Sequence, residues 1–437
     1  MPIKGDNFKE RILSSFDIYE NHLNGHKDSA QHNVRVDAIK HFESNGLPTL
    51  KNELWKYTNV GFLNGLDFKL DITETNHSIT KEDIDNLKVE GIDNYVVIVN
   101  GFYNEELSSF DTTLEVKSMK AAQKENKAEF ETHYNKYLKN ESNVFSSINT
   151  ALSFDGVFIK AKKGLVEEKP LHIINIVDTK SGTQFKQARN LIIAEDNSNF
   201  KLYETNHTIG ENTGISNIST EIYVGHNTHL EHIKFQNDTD NGIYFAQSEA
   251  KQERDSNYTN STITINGKFV RNDLGTTHNG ENIETHYYGY YYGSGRNLID
   301  NHTMVDHATP HCESNELYKG VLGDSSIGTF NGKILVRPDA QKTNAYQSSK
   351  NVLLTDTAKV NAKPELEIYA DDVKCSHGSS TGSIDKDALF YLQARGIPKE
   401  KAKALLLLAY SQEIIDKITI EPIREYITQQ VELKFGM

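Results

Sequence analysis

Cysteine is nearly absent from this chain: 437 residues carry two, Cys312 and Cys375. Two thiols on so long a chain build no disulfide scaffold, and no Cys-x-x-Cys pair occurs. A reducing cytosol is therefore the expected compartment. Long apolar runs are missing as well. The most apolar stretch, Ala404 to Tyr410, is far too short to cross a bilayer, and the opening Met1-Pro2-Ile3-Lys4-Gly5-Asp6 shows no apolar signal core. Positive charge is in deficit, with 47 Lys and Arg against 61 Asp and Glu, a formal charge of −14. That balance argues against nucleic acid and against anionic membranes as partners, because both need a basic surface. No Walker A lysine motif is present, which excludes a P-loop ATPase. Without a secretory signal, the sequons at Asn206 and Asn257 read as accidental.

What is present falls into three parts. Residues 1–150 read as a helical and mixed domain, with apolar residues at three- and four-residue spacing over Phe8 to Leu23 and Ala30 to Ser44. A strand is expected at Tyr95-Val96-Val97-Ile98-Val99, with a turn at Asn100-Gly101. A helix is expected over Lys117 to Asn140, with Ser118 as its N-cap. Residues 151–382 read as β, in short runs such as Leu191-Ile192-Ile193-Ala194 and Thr262-Ile263-Thr264-Ile265 between Gly, Asn and Asp. Such runs suit a sandwich, a barrel or a stacked solenoid, and no exact repeat chooses among them. Residues 383–437 read as helical. Asp385 is placed to cap a first helix, Gly396 to end it, and Pro398 to start a second through Ser411. A last helix is expected over Ile423 to Phe435. The row Leu405-Leu406-Leu407-Leu408 is apolar on every side, which predicts burial against more than one surface.

The chemistry concentrates at Asp371-Asp372-Val373-Lys374-Cys375-Ser376-His377-Gly378. In an extended backbone positions i and i+2 share a face, so Cys375 and His377 aim at one point. Sulfur and imidazole nitrogen together suit iron. The plainer alternative is a small buried thiol beside a hydrogen-bonded histidine. Asp371 and Asp372 either add negative charge for a cation or are solvated edge carboxylates. His226, His229 and His232 cannot converge on one strand without a bulge. His302, His307 and His311 adjoin Cys312 and form a better cluster, with structural roles favoured. Gly293-Ser294-Gly295 lacks the third glycine of a dinucleotide fingerprint and reads as a tight turn.

The Cys375 segment, continuing through Leu389-Phe390-Tyr391-Leu392-Gln393-Ala394-Arg395-Gly396-Ile397, closely resembles the SufB/SufD family of iron–sulfur cluster assembly proteins. So do Leu47-Pro48-Thr49 with Glu53-Leu54-Trp55-Lys56-Tyr57-Thr58, Phe145-Ser146-Ser147-Ile148-Asn149, Asp155-Gly156-Val157-Phe158-Ile159, Lys169-Pro170-Leu171-His172-Ile173, and His311-Cys312-Glu313-Ser314 leading to Tyr318-Lys319-Gly320. The resemblance implies a right-handed parallel β-helix core flanked by N-terminal mixed and C-terminal helical domains. It implies that Cys375 and His377 lie at an interface with a second β-helix subunit, SufB, as tentative ligands of iron or a nascent iron–sulfur cluster. It also implies an ABC-type ATPase, SufC, on the C-terminal helices. Gly378 after the histidine, the short chain and the sparse thiols resemble the SufD branch, the non-ATPase partner of SufB. Two cysteines cannot supply the four thiolates of a complete cluster, so any cluster is shared and none is stably bound by the isolated chain. The resemblance implies an assembly role in the cytoplasm rather than catalysis. Two alternatives stand beside it: a homodimeric scaffold of SufB type, which an isolated chain could form, and a β-helix enzyme acting on polysaccharides.

Overall fold

A computed structural model describes residues 5–22, 30–70, 77–138 and 143–437. Helices α1 (Phe8–His22) and α2 (Ala30–Asn45) open the chain near their expected spans. Leu23, the expected end of the first, lies outside the described residues. After α3 (Lys81–Asp85) come β1 (Tyr95–Val99) and β2 (Phe102–Ser109), an antiparallel hairpin. Its turn, Asn100-Gly101, has φ of 55° and 88°, the left-handed pair that a tight hairpin favours. Gly101 is required for a second reason: a Cβ there would lie 2.1 Å from the Gln187 carbonyl oxygen. Beyond β3 (Glu115–Ser118), the helix expected over Lys117 to Asn140 is two short ones, α4 (Met119–Glu125) and α5 (Lys127–His133). They break at Asn126, while Ser118 caps α4 by accepting the Ala121 N–H. Asn140 lies outside the described residues. Helix α6 (Val144–Leu152) follows.

The chain then winds as a parallel β-solenoid of eight coils, each giving one strand to each of two sheets. The first sheet stacks β4 (Val157–Ala161), β6 (Gln184–Ala194), β8 (Gly214–Val224), β10 (Gly242–Gln252), β12 (Phe269–His278), β14 (Leu298–His307), β16 (Ile327–Val336) and β18 (Lys359–Ile368). The second stacks β5 (Leu171–Asp178), β7 (Asn199–Ile209), β9 (His229–Asn237), β11 (Asn257–Asn266), β13 (Glu284–Gly293), β15 (Glu313–Leu322), β17 (Asn344–Leu353) and β19 (Lys374–Gly382). Side chains alternate between the interior and the outer faces, with a shift of register in β11 between Thr264 and Asn266. The interior core runs from Val96 and Ile159 through Leu202, Tyr258 and Tyr291 to Phe330. One corner is a ladder of left-handed residues: Asn197, Asn227, Asp255, Asn282, His311 and Lys342, with φ between 50° and 61°. Neighbouring coils bond through it, as where Asn227 Nδ2 donates to Asn197 Oδ1 at 2.9 Å and Asn282 Nδ2 to Asp255 Oδ1 at 2.9 Å.

Helices cover both outer faces. On the first sheet, Phe8, Phe42 and Phe145 pack against Phe185, Ile215 and Phe245, and the Phe145 and Phe245 rings stack at 3.8 Å. After β19 come α7 (Lys386–Ala394), α8 (Lys399–Ile415) and α9 (Glu421–Lys434). Asp385 caps α7 by accepting two backbone N–H groups, and Gly396 follows it at φ 85°. Leu407, Ile414, Ile423 and Ile427 lie on Ile233, Phe235, Ile263 and Tyr290 of the second sheet. The leucine row does not bury on every side. Leu407 alone is buried and its three neighbours are half-buried, while α8 as a whole packs against the second sheet and against α7 and α9, more than one surface.

The two ends of the solenoid differ. At the first coil, β1 adds parallel to β5 with β2 outermost, and β3 pairs antiparallel with β4. At the last coil, among the described residues, β18 pairs only with β16 and β19 only with β17. That end is open.

Candidate functional site at the open end of the solenoid

Strand register decides where Cys375 and His377 point. Cys375 stacks on Ala345 and Ser314, and His377 on Gln347, Glu316 and Tyr287, through successive strands of the second sheet. Each residue beneath them is buried inside the solenoid. Cys375 and His377 thus belong to inward-facing columns, and they meet solvent only because no ninth coil covers them. Cys375 is half-buried against the cluster of Ile334, Val336, Ala340, Ala345 and Ala370, and burial pushes its thiol above the ordinary range, so the resting group is the thiol. His377 is exposed. Asp371 and Asp372 are exposed, and Asp372 is paired with Lys342 while its backbone carbonyl continues the corner ladder. Asp372 is a structural edge residue. On the opposite sheet, Pro364 stands in the free-edge strand β18, where a residue without an N–H is tolerated.

The other sequence candidates separate. His226 lies in a turn and His229 is exposed, whereas His232 is buried and bonded to Glu204 at 3.0 Å. His302 pairs with Asp300 at 2.9 Å, and His307 turns inward against the His278 ring. His311 is a corner residue. Cys312 follows it in a column of buried corner side chains, with Ser198, Thr228, Ser256, Ile283 and Thr343 at equivalent turns, and its Sγ–H donates to the Gly280 carbonyl at 3.3 Å. Gly293 ends β13, and Ser294-Gly295 begin the turn to β14. Asn206 is buried and bonded to Asp238, which closes that sequon in the folded chain. No group of three or more His, Cys, Asp or Glu able to hold a metal occurs among the described residues. A groove of about 790 Å³ beside α5 contains neither Cys375 nor His377, and its Lys163 and Lys251 are paired with Asp196 and Glu253.

Several motifs are structural. Trp55 lies under the Arg271 guanidinium, 3.8 Å from ring centroid to carbon, and Arg271 also holds Asp300 and the Leu54 carbonyl. Thr58 donates to Asp300 at 2.6 Å and Glu53 meets Lys363 at 2.6 Å, so this segment straps the first sheet as far as its last strand. Lys319 reaches Glu413 at 2.7 Å and lies over the Tyr410 ring, fastening α8. Gly320 leaves room for the Tyr291 ring, which a Cβ would approach to 2.5 Å.

Sequence reasoning missed the polar interior. Glu204 is met by His232, Lys234 and Tyr244, and these contacts hold its carboxyl at about 2 despite burial. Glu316 has no such cation among the described residues. It accepts from Thr303 Oγ1 at 2.5 Å and Gln347 Nε2 at 3.1 Å, and burial raises its carboxyl to about 7. Only strand register, invisible in one sequence, places it beneath His377.

The comparisons with known proteins give the family of this helix-strapped parallel β-solenoid. The model of the SufBD protein N-terminal region matches residues 7–173, and that of the SUF system FeS cluster assembly, SufBD core domain, matches residues 175–410. The chain belongs to the SufBD family of iron–sulfur cluster assembly proteins. It is 29% identical over 427 residues to an iron-sulfur cluster assembly SufBD family protein of Synechocystis, covering 94% of this chain and 93% of that one. It is 27% identical to the iron-sulfur cluster assembly protein SufD of Escherichia coli, covering 88% and 89%, and 27% identical to SufD of Bacillus subtilis, covering 68% of each. No helix among the described residues is long and apolar enough to cross a membrane.

Proposed function

We propose that this chain is the SufD-type member of a cytoplasmic iron–sulfur assembly complex. It pairs through its open coil with a SufB-type subunit, carries a SufC-type ATPase on its C-terminal helices, and has no turnover of its own. The observation that carries this reading is the asymmetry of the solenoid: one end is capped by antiparallel strands, and the other exposes the edges of β18 and β19. A free edge of this length invites another chain. Cys375 and His377 lie on that coil, where a partner's thiolates would complete a ligand set for iron or a nascent cluster, the cargo of the assembly. The ATPase assignment is supported by α7, which has no buried residue and leaves Phe390 72% and Tyr391 56% exposed. Exposed aromatics of this kind are typical interface anchors. Affinity capture from native cytosol tests the reading: SufB-type and SufC-type chains should co-purify. Capture of a homodimer that assembles a stable cluster alone would instead support a self-sufficient scaffold, and glycan turnover by the isolated chain would support the enzyme alternative.

A further inference from the structure

Beneath His377 the interior column contains polar atoms that the fold does not use. Glu316 and Gln347 are 1% and 3% exposed, yet Glu316 Oε1 and Gln347 Oε1 accept no hydrogen bond from the described residues, and the Tyr287 hydroxyl one coil deeper has no partner either. The three residues are in register with one another and with His377, so they occupy adjacent rungs about 4.8 Å apart. Other buried carboxylates have partners: Arg189 pairs with Glu221 and Arg271 with Asp300, and both oxygens of Asp155 and of Asp178 accept hydrogen bonds. Asp238 has no cation, but both its oxygens accept hydrogen bonds. Glu316 has neither a cation among the described residues nor a full set of donors. An orphaned carboxylate oxygen inside a protein is costly and calls for a ligand. The amide of Gln347 is fixed in orientation, since its nitrogen bonds Glu316 and packs against Gly332, where even a Cβ would lie 2.2 Å away. Its oxygen is thereby left free.

We propose that the open end of the solenoid contains an inner divalent-metal site, distinct from the Cys375–His377 rim, in which Glu316 gives a carboxylate oxygen and Gln347 an amide oxygen. The identity of the ion as ferrous iron rests on the proposed function; the site itself rests on the column. Oxygen ligands beneath an imidazole favour a hard or borderline cation over a soft one. The open coil is the entry path, and His377 stands above it.

Untagged full-length protein, titrated anaerobically with Co(II) and followed by its d–d absorption and by calorimetry, tests this. Wild type should bind one equivalent without a thiolate-to-cobalt charge-transfer band. Glu316→Gln and Gln347→Met, both close in shape to the native side chains, should each weaken binding tenfold or more with the melting temperature retained, and Cys375→Ser should change affinity less than twofold. Unchanged affinity in both inner variants, or no Co(II) binding by wild type, would overturn the inner site. So would binding that shows the charge-transfer band and disappears with Cys375→Ser. Each of these outcomes leaves the assembly role intact, because cluster content of the complex is not the readout.

Discussion

The two cysteines lie in different columns of one solenoid, Cys312 at a buried corner before β15 and Cys375 on the inward face of the last strand, β19. Cys312 is packed in a corner column whose other members include serine and threonine, so Cys312→Ser is expected to change stability by less than about 1 kcal/mol, measured by urea denaturation. His377 faces an unfilled coil. His377→Ala should shift the melting temperature by no more than about 2 °C, because an exposed imidazole contributes little to the core. The buried histidines behave oppositely. Burial holds His207 at about 4 and His307 at about 3, against an ordinary 6.5. The unfolded chain takes up protons below pH 6.5 and the folded chain does not, so stability is fully present above that pH and lost as pH falls. Each such histidine should contribute a slope of up to about 1.4 kcal/mol per pH unit. Denaturation series between pH 7.5 and 5 should show this loss, and His307→Gln should make it shallower. An identical slope in that variant would contradict the neutral buried state.

At the scale of elements, α7 and the pair α8–α9 separate two functions that the sequence presented as one helical tail. The pair covers Ile233, Phe235, Ile263 and Tyr290, so removing it would expose an apolar sheet face and confound any binding assay. Helix α7 has no buried residue of its own, which makes it the cleaner probe. Phe390→Ser with Tyr391→Ser should leave the melting temperature within about 2 °C and reduce ATPase capture at least tenfold. Wild-type capture would move the docking surface elsewhere. These helices were legible because their ends carry local chemistry: the Asp385 cap, Gly396 and Pro398 act within a turn. The solenoid was not legible from pattern alone. Its inward column runs Leu202, His232, Asn260, Tyr287, Glu316, Gln347, which obscures the apolar alternation of a half-buried strand. Its corner ladder accepts Asn, Asp, His and Lys alike, because backbone geometry rather than residue identity repeats. Family motifs supplied the fold that periodicity left open. The shared face of Cys375 and His377 followed from period two, but the direction of that face needed the register of the strands below.

The whole molecule is a tube closed at one end, clad on both faces, and open where its only half-exposed thiol and an exposed imidazole stand together. Among the described residues, cladding and cap leave one uncovered sheet edge on each side of the last coil, so the proposed assembly and chemistry fall at the same place. The most direct test is the iron and acid-labile sulfide content of the anaerobically purified complex with SufB-type and SufC-type chains, compared between wild type and His377→Ala. The account predicts a complex of unchanged composition that has lost most of its iron and sulfide. A normally assembled His377→Ala complex with wild-type iron would contradict it.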